Sequence, residues 1–97
     1  EQTSKYNAMV RNLLDNACIF GTSELASQLG GAQHFAGDWP LLVAGRAGGK
    51  LKPGLHHRSG GENATMVPLT CMQAMGLPIT QFGVDGAYVN KTVPILT

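Results

Sequence analysis

Ala17-Cys18-Ile19-Phe20-Gly21 and Leu41-Leu42-Val43-Ala44-Gly45 are the two stretches of sequence that decide the fold. Each is a short continuous apolar run that ends at glycine, and Trp39-Pro40 leads into the second run. Such runs are typical of strands covered on both faces of a sheet. Proline is tolerated where a strand begins. The sequence therefore predicts two buried strands.

Helical patterns accompany both strands. Apolar residues between Tyr6 and Leu14 recur three and four positions apart, which predicts an amphipathic helix before the first strand. A second helix is predicted to begin at Asn63, as its N-cap, and to continue to Met75. Gly76 then has the position of a C-cap glycine, and Pro78 follows two residues later. Alternating helices and strands indicate the α/β class.

The connections carry weaker patterns. The segment 22–38 is rich in Gly, Ser and Gln and predicts a long surface loop. Turns are predicted at Gly48-Gly49 and Pro53-Gly54, with residues 55–58 as the return arm of a small hairpin. Residues 87–89 form a further short strand in this prediction.

Composition limits the classes of function. Charged residues are 13% of the chain and the formal net charge is +1, which argues against an electrostatic nucleic-acid surface. No apolar run approaches the roughly 20 residues of a membrane span. Low charge suits a segment that is buried against other protein.

The predicted sheet is too small to be complete, because two strands alone are marginally stable in water. We therefore expect residues 1–97 to form a fragment of one α/β domain rather than a whole domain. The remaining strands would come from another part of the parent chain or from a partner.

Candidate chemistry lies after the first strand, since ligands of open α/β sheets bind beyond the carboxyl ends of strands. Glu24 follows that strand closely, and His34 lies in the same long loop. A carboxylate beside an imidazole is a common metal-binding combination. The alternatives are a solvated or helix-capping Glu24 and a solvated His34.

Other candidates are less specific. His56 and His57 are adjacent, so in an extended arm only one of them can face a site. Ser23 and Thr22 lack the Gly-x-Ser-x-Gly elbow of a nucleophilic serine. The two cysteines, Cys18 and Cys71, are interpreted as buried thiols, with a bridge between strand and helix as the alternative.

An ordered set of motifs along almost the whole chain resembles the C-terminal third of one bacterial family, the exported domain-of-unknown-function family fifteen-fifty-two. The set comprises Leu13-Leu14-Asp15-Asn16, Gly21-Thr22-Ser23-Glu24, His34, Pro40-Leu41-Leu42-Val43-Ala44-Gly45, Gly48-Gly49-Lys50-Leu51-Lys52, Gly54, His56, Arg58, Met75-Gly76-Leu77-Pro78 and Phe82-Gly83.

That family is similar to the alkaline-phosphatase and sulfatase superfamily, and the resemblance implies a fold, a location and a site. Residues 1–97 would be the C-terminal part of one α/β domain, a fragment of an alkaline-phosphatase-like sheet with covering helices in an exported protein. Its partner would be the missing N-terminal part of the parent chain or a partner subunit. Glu24 and His34 would bind a divalent metal, zinc or calcium, and His56 would be catalytic, polarising a phosphate or sulfate ester.

The sequence also departs from the superfamily's metal-binding motif. Glu24 stands where an aspartate is expected, and Leu25 stands where a histidine ligand is expected. Two functions therefore remain open. One is a metal-dependent ester hydrolase, and the other is a non-catalytic structural or binding component of an exported assembly.

Overall fold

A computed structural model describes residues 13–23 and 39–97 of the chain. Residues 13–16 are helical and lead to strand β1 (Ile19–Thr22). Strand β2 (Leu41–Ala44) and helix α1 (Met66–Ala74) follow, and the remaining elements are short 3-10 turns at Ala47–Gly49, Asp85–Ala87 and Pro94–Leu96. The mixture of helix and strand confirms the α/β class at this coarse level.

The two strands pair as an antiparallel ribbon. Ile19 lies opposite Ala44, and Thr22 lies opposite Leu41. Both predicted strands are therefore present, but the prediction that they are buried on both faces is wrong for this chain. Ile19 is 51% exposed and Leu42 is 65% exposed. An apolar strand becomes buried only when other layers pack on it, and the helix packs elsewhere.

The core lies beyond the end of β2 rather than over the ribbon. Its buried members among the described residues are Ala47, Leu51 and Ala74, and partly buried Cys18, Val43 and Leu96 pack against them. Helix α1 thus covers the chain that leaves β2, together with the C-terminal tail. Among the described residues, neither α1 nor the C-terminal tail belongs to a cluster over the ribbon's exposed Ile19 and Leu42.

At Gly45, the chain that leaves β2 passes close to the backbone that precedes β1. The N–H of Ala47 donates to the carbonyl of Ala17, and the N–H of Arg46 donates to the carbonyl of Leu14, both at 2.9 Å. Gly45 has φ 98°, and a Cβ atom there would overlap the Ala17 carbonyl oxygen. Glycine is the residue that fits both requirements.

Helix α1 ends as the sequence predicts. Gly76 has φ 87°, and its N–H donates to the carbonyl of Gln73 at 3.0 Å. The N–H of Leu77 donates to the carbonyl of Met72 at 3.1 Å. These two bonds form a Schellman motif, which satisfies the last carbonyls of the helix.

The start of α1 differs from the prediction, because the helix begins at Met66 rather than directly after Asn63. The Asn63 side chain accepts from the N–H of Thr65 at 3.2 Å, and its amide donates to the carbonyl of Gly86 at 2.8 Å. Asn63 therefore holds a turn ahead of the helix and ties it to the loop at Asp85–Ala87. That long-range bond has no local sequence pattern.

Two further predictions are wrong. Residues 55–58 are not the arm of a hairpin, because Leu51 is buried in the core and the N–H of Lys52 donates to the carbonyl of Leu96 at 2.8 Å. Residues 87–89 contribute one isolated bridge, between Phe82 and Val89, rather than a strand. The turn at Asp85–Ala87 bends the chain between Phe82 and Val89, so their single bridge does not extend into a longer ladder.

The remaining predictions of structure are settled only in part. Residues 13–16 are the described end of the predicted N-terminal helix, and its earlier residues lie outside the described ranges. The same holds for most of the predicted loop at 22–38. In the part of the chain that the structure describes, no helix has the length and apolar character needed to cross a membrane.

Candidate functional site

An open groove lies at the carboxyl end of β1, where the sequence places the site. Its volume is about 390 Å³, and it is lined by Gly21, Thr22, Ser23, Pro40, Leu41 and Leu42. The pairing of Thr22 with Leu41 brings the end of β1 to the start of β2 and so creates the groove. Most of its wall is backbone and apolar side chain.

Thr22 closes one end of this groove through its hydroxyl group. The hydroxyl lies 3.1 Å from the carbonyl of Pro40 and 3.4 Å from the carbonyl of Ser23. A hydroxyl has one proton, so it donates to one of these oxygens at a time. The Thr22 hydroxyl is thus engaged in fixing the loop before β2, and no base stands beside it among the groove's lining residues.

The two predicted metal ligands, Glu24 and His34, lie outside the described residues. Glu24 follows directly on Ser23, which lines the groove. The described lining contains no histidine, cysteine or carboxylate. Within residues 13–23 and 39–97, no three such side chains come together as a metal would require.

The antiparallel pairing changes the geometry on which the prediction rested. In a parallel sheet the carboxyl ends of neighbouring strands meet at one edge, so their loops share a site. Here the carboxyl end of β1 meets the amino end of β2. The chain that continues from β2 to His56 therefore leaves from the opposite end of the ribbon.

His56, the predicted catalytic residue, is exposed in the loop that precedes α1 and does not line the groove. Its neighbour His57 is the one with a carboxylate partner, since His57 Nε2 lies 3.0 Å from Glu62 Oε1. Both side chains of that pair are about one-third exposed. Exposed pairs of this kind contribute little to stability.

A tight turn sets the distance between His57 and Glu62. The Ser59 hydroxyl oxygen accepts from the N–H of Glu62 at 2.7 Å and from the N–H of Gly61 at 3.1 Å. Gly61 has φ 102°, which allows the chain to fold back. The Ser-Gly-Gly sequence could have indicated this turn, but nothing in the sequence indicated the carboxylate that His57 would contact.

The structure brings together one pair of reactive side chains that the sequence separates widely. Cys71 is buried on α1, and Cys18 is half-buried just before β1. Burial and a hydrogen bond with the Cys18 side chain raise the pKa of the Cys71 thiol to about 12. Both cysteines are free thiols. The predicted burial of the two thiols is confirmed for Cys71 and is wrong for Cys18, which is only half-buried.

Comparison with known proteins gives no match: no family model, no curated protein and no solved structure is similar to this chain.

The described residues form an apolar groove and an exposed ion pair, but they do not form a nucleophile with a neighbouring base. Catalysis by a nucleophile requires a base within hydrogen-bond reach, oriented by a third group. The groove supplies an open apolar wall, and the His57–Glu62 pair stands on a separate exposed turn. The ribbon and its groove are therefore the candidate functional site.

Proposed function

We propose that this chain is a non-catalytic structural or binding component of an exported protein assembly. In that assembly, a β-strand from the N-terminal part of the parent chain pairs with an edge of the β1–β2 ribbon, and another layer of the assembly packs on its apolar face. One observation carries the proposal. Two four-residue strands, both composed of apolar or neutral residues, form a ribbon whose outward side chains remain exposed.

The energetics of an isolated ribbon support this proposal. Two strands with an uncovered apolar face are marginally stable by themselves, and three or more strands are normally needed. Ile19 is 51% exposed and Leu42 is 65% exposed, so each forgoes part of the roughly 1.5–3 kcal/mol that full burial of such a side chain gives. A layer packed on the apolar face would recover part of it, and a further strand would satisfy backbone groups at a ribbon edge.

The proposed fold is the C-terminal fragment of an alkaline-phosphatase-like sheet. An antiparallel pair is compatible with it, since many open α/β sheets carry an antiparallel strand at one edge. The motif set Gly21-Thr22-Ser23-Glu24 to Phe82-Gly83 supports the resemblance to the exported family fifteen-fifty-two. The exported location rests on that resemblance.

Exposure of the ribbon can be tested on the purified 97-residue chain. We expect the amides of β1 and β2 to exchange hydrogen quickly and the chain to bind the dye ANS. The Leu42→Lys variant should reduce dye binding, because Leu42 is 65% exposed on the groove. Val84→Lys is the matched control, since Val84 is 75% exposed but belongs to neither strand nor the groove lining.

A chain that stays monomeric, excludes the dye and protects its ribbon amides would overturn the proposal. Equal loss of dye binding in both variants would place the apolar surface elsewhere. A third strand supplied as a peptide from the N-terminal part of the parent protein should slow exchange in β1 or β2, and no slowing would count against strand addition.

A metal-dependent hydrolase acting on a phosphate or sulfate ester is the second candidate. The observation in its favour is the groove itself, which stands at the carboxyl end of β1 immediately before Glu24. Under this proposal Glu24 and His34 hold a divalent metal, zinc or calcium, and His56 assists at the ester. A bound metal would polarise the ester and neutralise charge in the transition state.

Elemental analysis separates the two candidates. Stoichiometric metal in the intact protein, lost in a Glu24→Ala, His34→Ala double variant, would support the hydrolase. A Glu62→Ala variant is the control, because Glu62 is paired with His57 on the separate turn. Metal absent from both forms, after supply of zinc and calcium, would leave the structural role.

A further inference from the structure

The geometry points to Cys18 and Cys71 as a disulfide-forming pair that links the start of β1 to helix α1. Cys18 packs against the core cluster that contains Ala74 of α1. Cys71 lies one helical turn before Ala74, so both residues belong to the same face of the helix. This inference does not depend on the function proposed above.

The two side chains are also neighbours, as the cause of the raised Cys71 pKa indicates. The Cys18 side chain is a hydrogen-bond partner of the Cys71 thiol. A hydrogen bond between thiols requires neighbouring sulfur atoms. Cys18 already packs against the cluster that contains Ala74, three residues beyond Cys71, so closing the bridge means bringing the two sulfur atoms to bonding distance.

The difference in exposure sets the order of the reaction. Cys71 is 7% exposed, whereas Cys18 is half-buried and more accessible to an oxidant from solvent. The oxidant in this proposal is a low-molecular-weight disulfide. The Cys18 thiolate attacks one of its sulfur atoms, forms a mixed disulfide on Cys18, and releases the first small thiolate.

Cys71 completes the reaction in a second step. Its thiolate attacks the Cys18 sulfur, breaks the mixed disulfide and expels the second small thiolate. The two protons that the protein thiols lose go to the two small thiols, so one small disulfide is reduced as the protein pair is oxidised. The raised pKa of Cys71 leaves little thiolate at neutral pH, so this second step should be the slow one.

The bridge would close a long stretch of chain around the core. It would join positions that are 71 − 18 = 53 residues apart. A cross-link over a long loop restricts the unfolded ensemble more than one over a short loop. It would also hold β1 against α1, which the described contacts otherwise do mainly through the core cluster.

Oxidised glutathione is the reagent for the test, applied to the native 97-residue chain. The expected product is a monomer lighter by two hydrogens, and a tryptic map should contain a peptide that joins Cys18 to Cys71. The product should also need a higher urea concentration for half-unfolding than the reduced chain. The second step should accelerate as pH rises from 7 to 9.

Two variants keep the test informative. Cys71→Ser should stop at a mixed disulfide that retains glutathione on Cys18, and Cys18→Ser should react much more slowly because its remaining thiol is buried. The proposal is overturned if the native chain accumulates mixed disulfides or cross-linked dimers without the internal bridge. Bridge formation only in urea would overturn it as well, because native packing would then play no part.

Discussion

The buried hydroxyl of Thr70 joins helix α1 to the C-terminal tail through the backbone N–H of Val93, which donates to it at 2.9 Å. The same hydroxyl donates to the carbonyl of Met66 at 2.7 Å, so it acts as both donor and acceptor. Thr70 is 1% exposed and Val93 is 4% exposed. Neither group has water available if this bond is broken.

Replacement of Thr70 by valine should therefore destabilise the chain. Valine keeps the shape of threonine but leaves the buried N–H of Val93 unsatisfied, which costs about 1–3 kcal/mol. Urea unfolding followed by circular dichroism measures the change. Thr70→Ser should cost less because it retains the hydroxyl, and Thr80→Val should cost little because Thr80 is exposed. Equal stability of Thr70→Val and wild type would refute the role of the bond.

Replacement of Gly45 by alanine should disrupt the junction after β2. The new Cβ atom would overlap the Ala17 carbonyl oxygen, and φ 98° is unfavourable for alanine. We expect a loss of about 2 kcal/mol or more in the free energy of unfolding. Gly60→Ala is the control, since a Cβ at Gly60 meets nothing within 4 Å. The prediction fails if the two variants unfold at the same urea concentration.

Alkaline pH should destabilise the reduced chain through Cys71. The pKa of this thiol is 9.0 in its ordinary state and about 12 in the folded chain. The unfolded chain therefore releases this proton first, so the contribution of Cys71 is complete below pH 9 and is lost as pH rises towards 12. Urea titrations from pH 8 to 11 measure this loss in the free energy of unfolding.

The Cys71→Ala variant supplies the reference for that pH series, because tyrosines and lysines also titrate there. The wild type should lose stability more steeply than Cys71→Ala between pH 9 and 11. Parallel curves for the two proteins would show that the Cys71 thiol does not titrate differently in the folded state.

Replacement of Glu62 by glutamine should change stability little. The His57–Glu62 pair is exposed, and such pairs contribute between about 0 and 1 kcal/mol. The expected shift in the urea midpoint is therefore within that range at pH 7. Ser59→Ala should have the larger effect, since Ser59 accepts two backbone N–H groups in the turn. A large effect of Glu62→Gln would assign the pair a role beyond this surface turn.

Of the candidate site, Glu24 and His34 remain predictions, because they lie outside the described residues. The apolar run before Gly21 located the end of β1, and the groove lies there. The prediction of an extended arm at residues 55–58 was wrong, so the alternation of His56 and His57 that depended on it does not apply. Glu62, which contacts His57, follows a turn whose closure depends on the Ser59 hydroxyl.

The sequence by itself determined the elements whose causes are local. Continuous apolar runs indicated β1 and β2, and Gly76 marked the end of α1 because only glycine adopts its positive φ without strain. Tertiary structure alone decided the antiparallel register, the exposure of Leu42, and the contacts of Cys18 with Cys71 and of Thr70 with Val93. These features join residues far apart in the chain, and their free energy depends on which surfaces pack together rather than on the preferences of neighbouring residues.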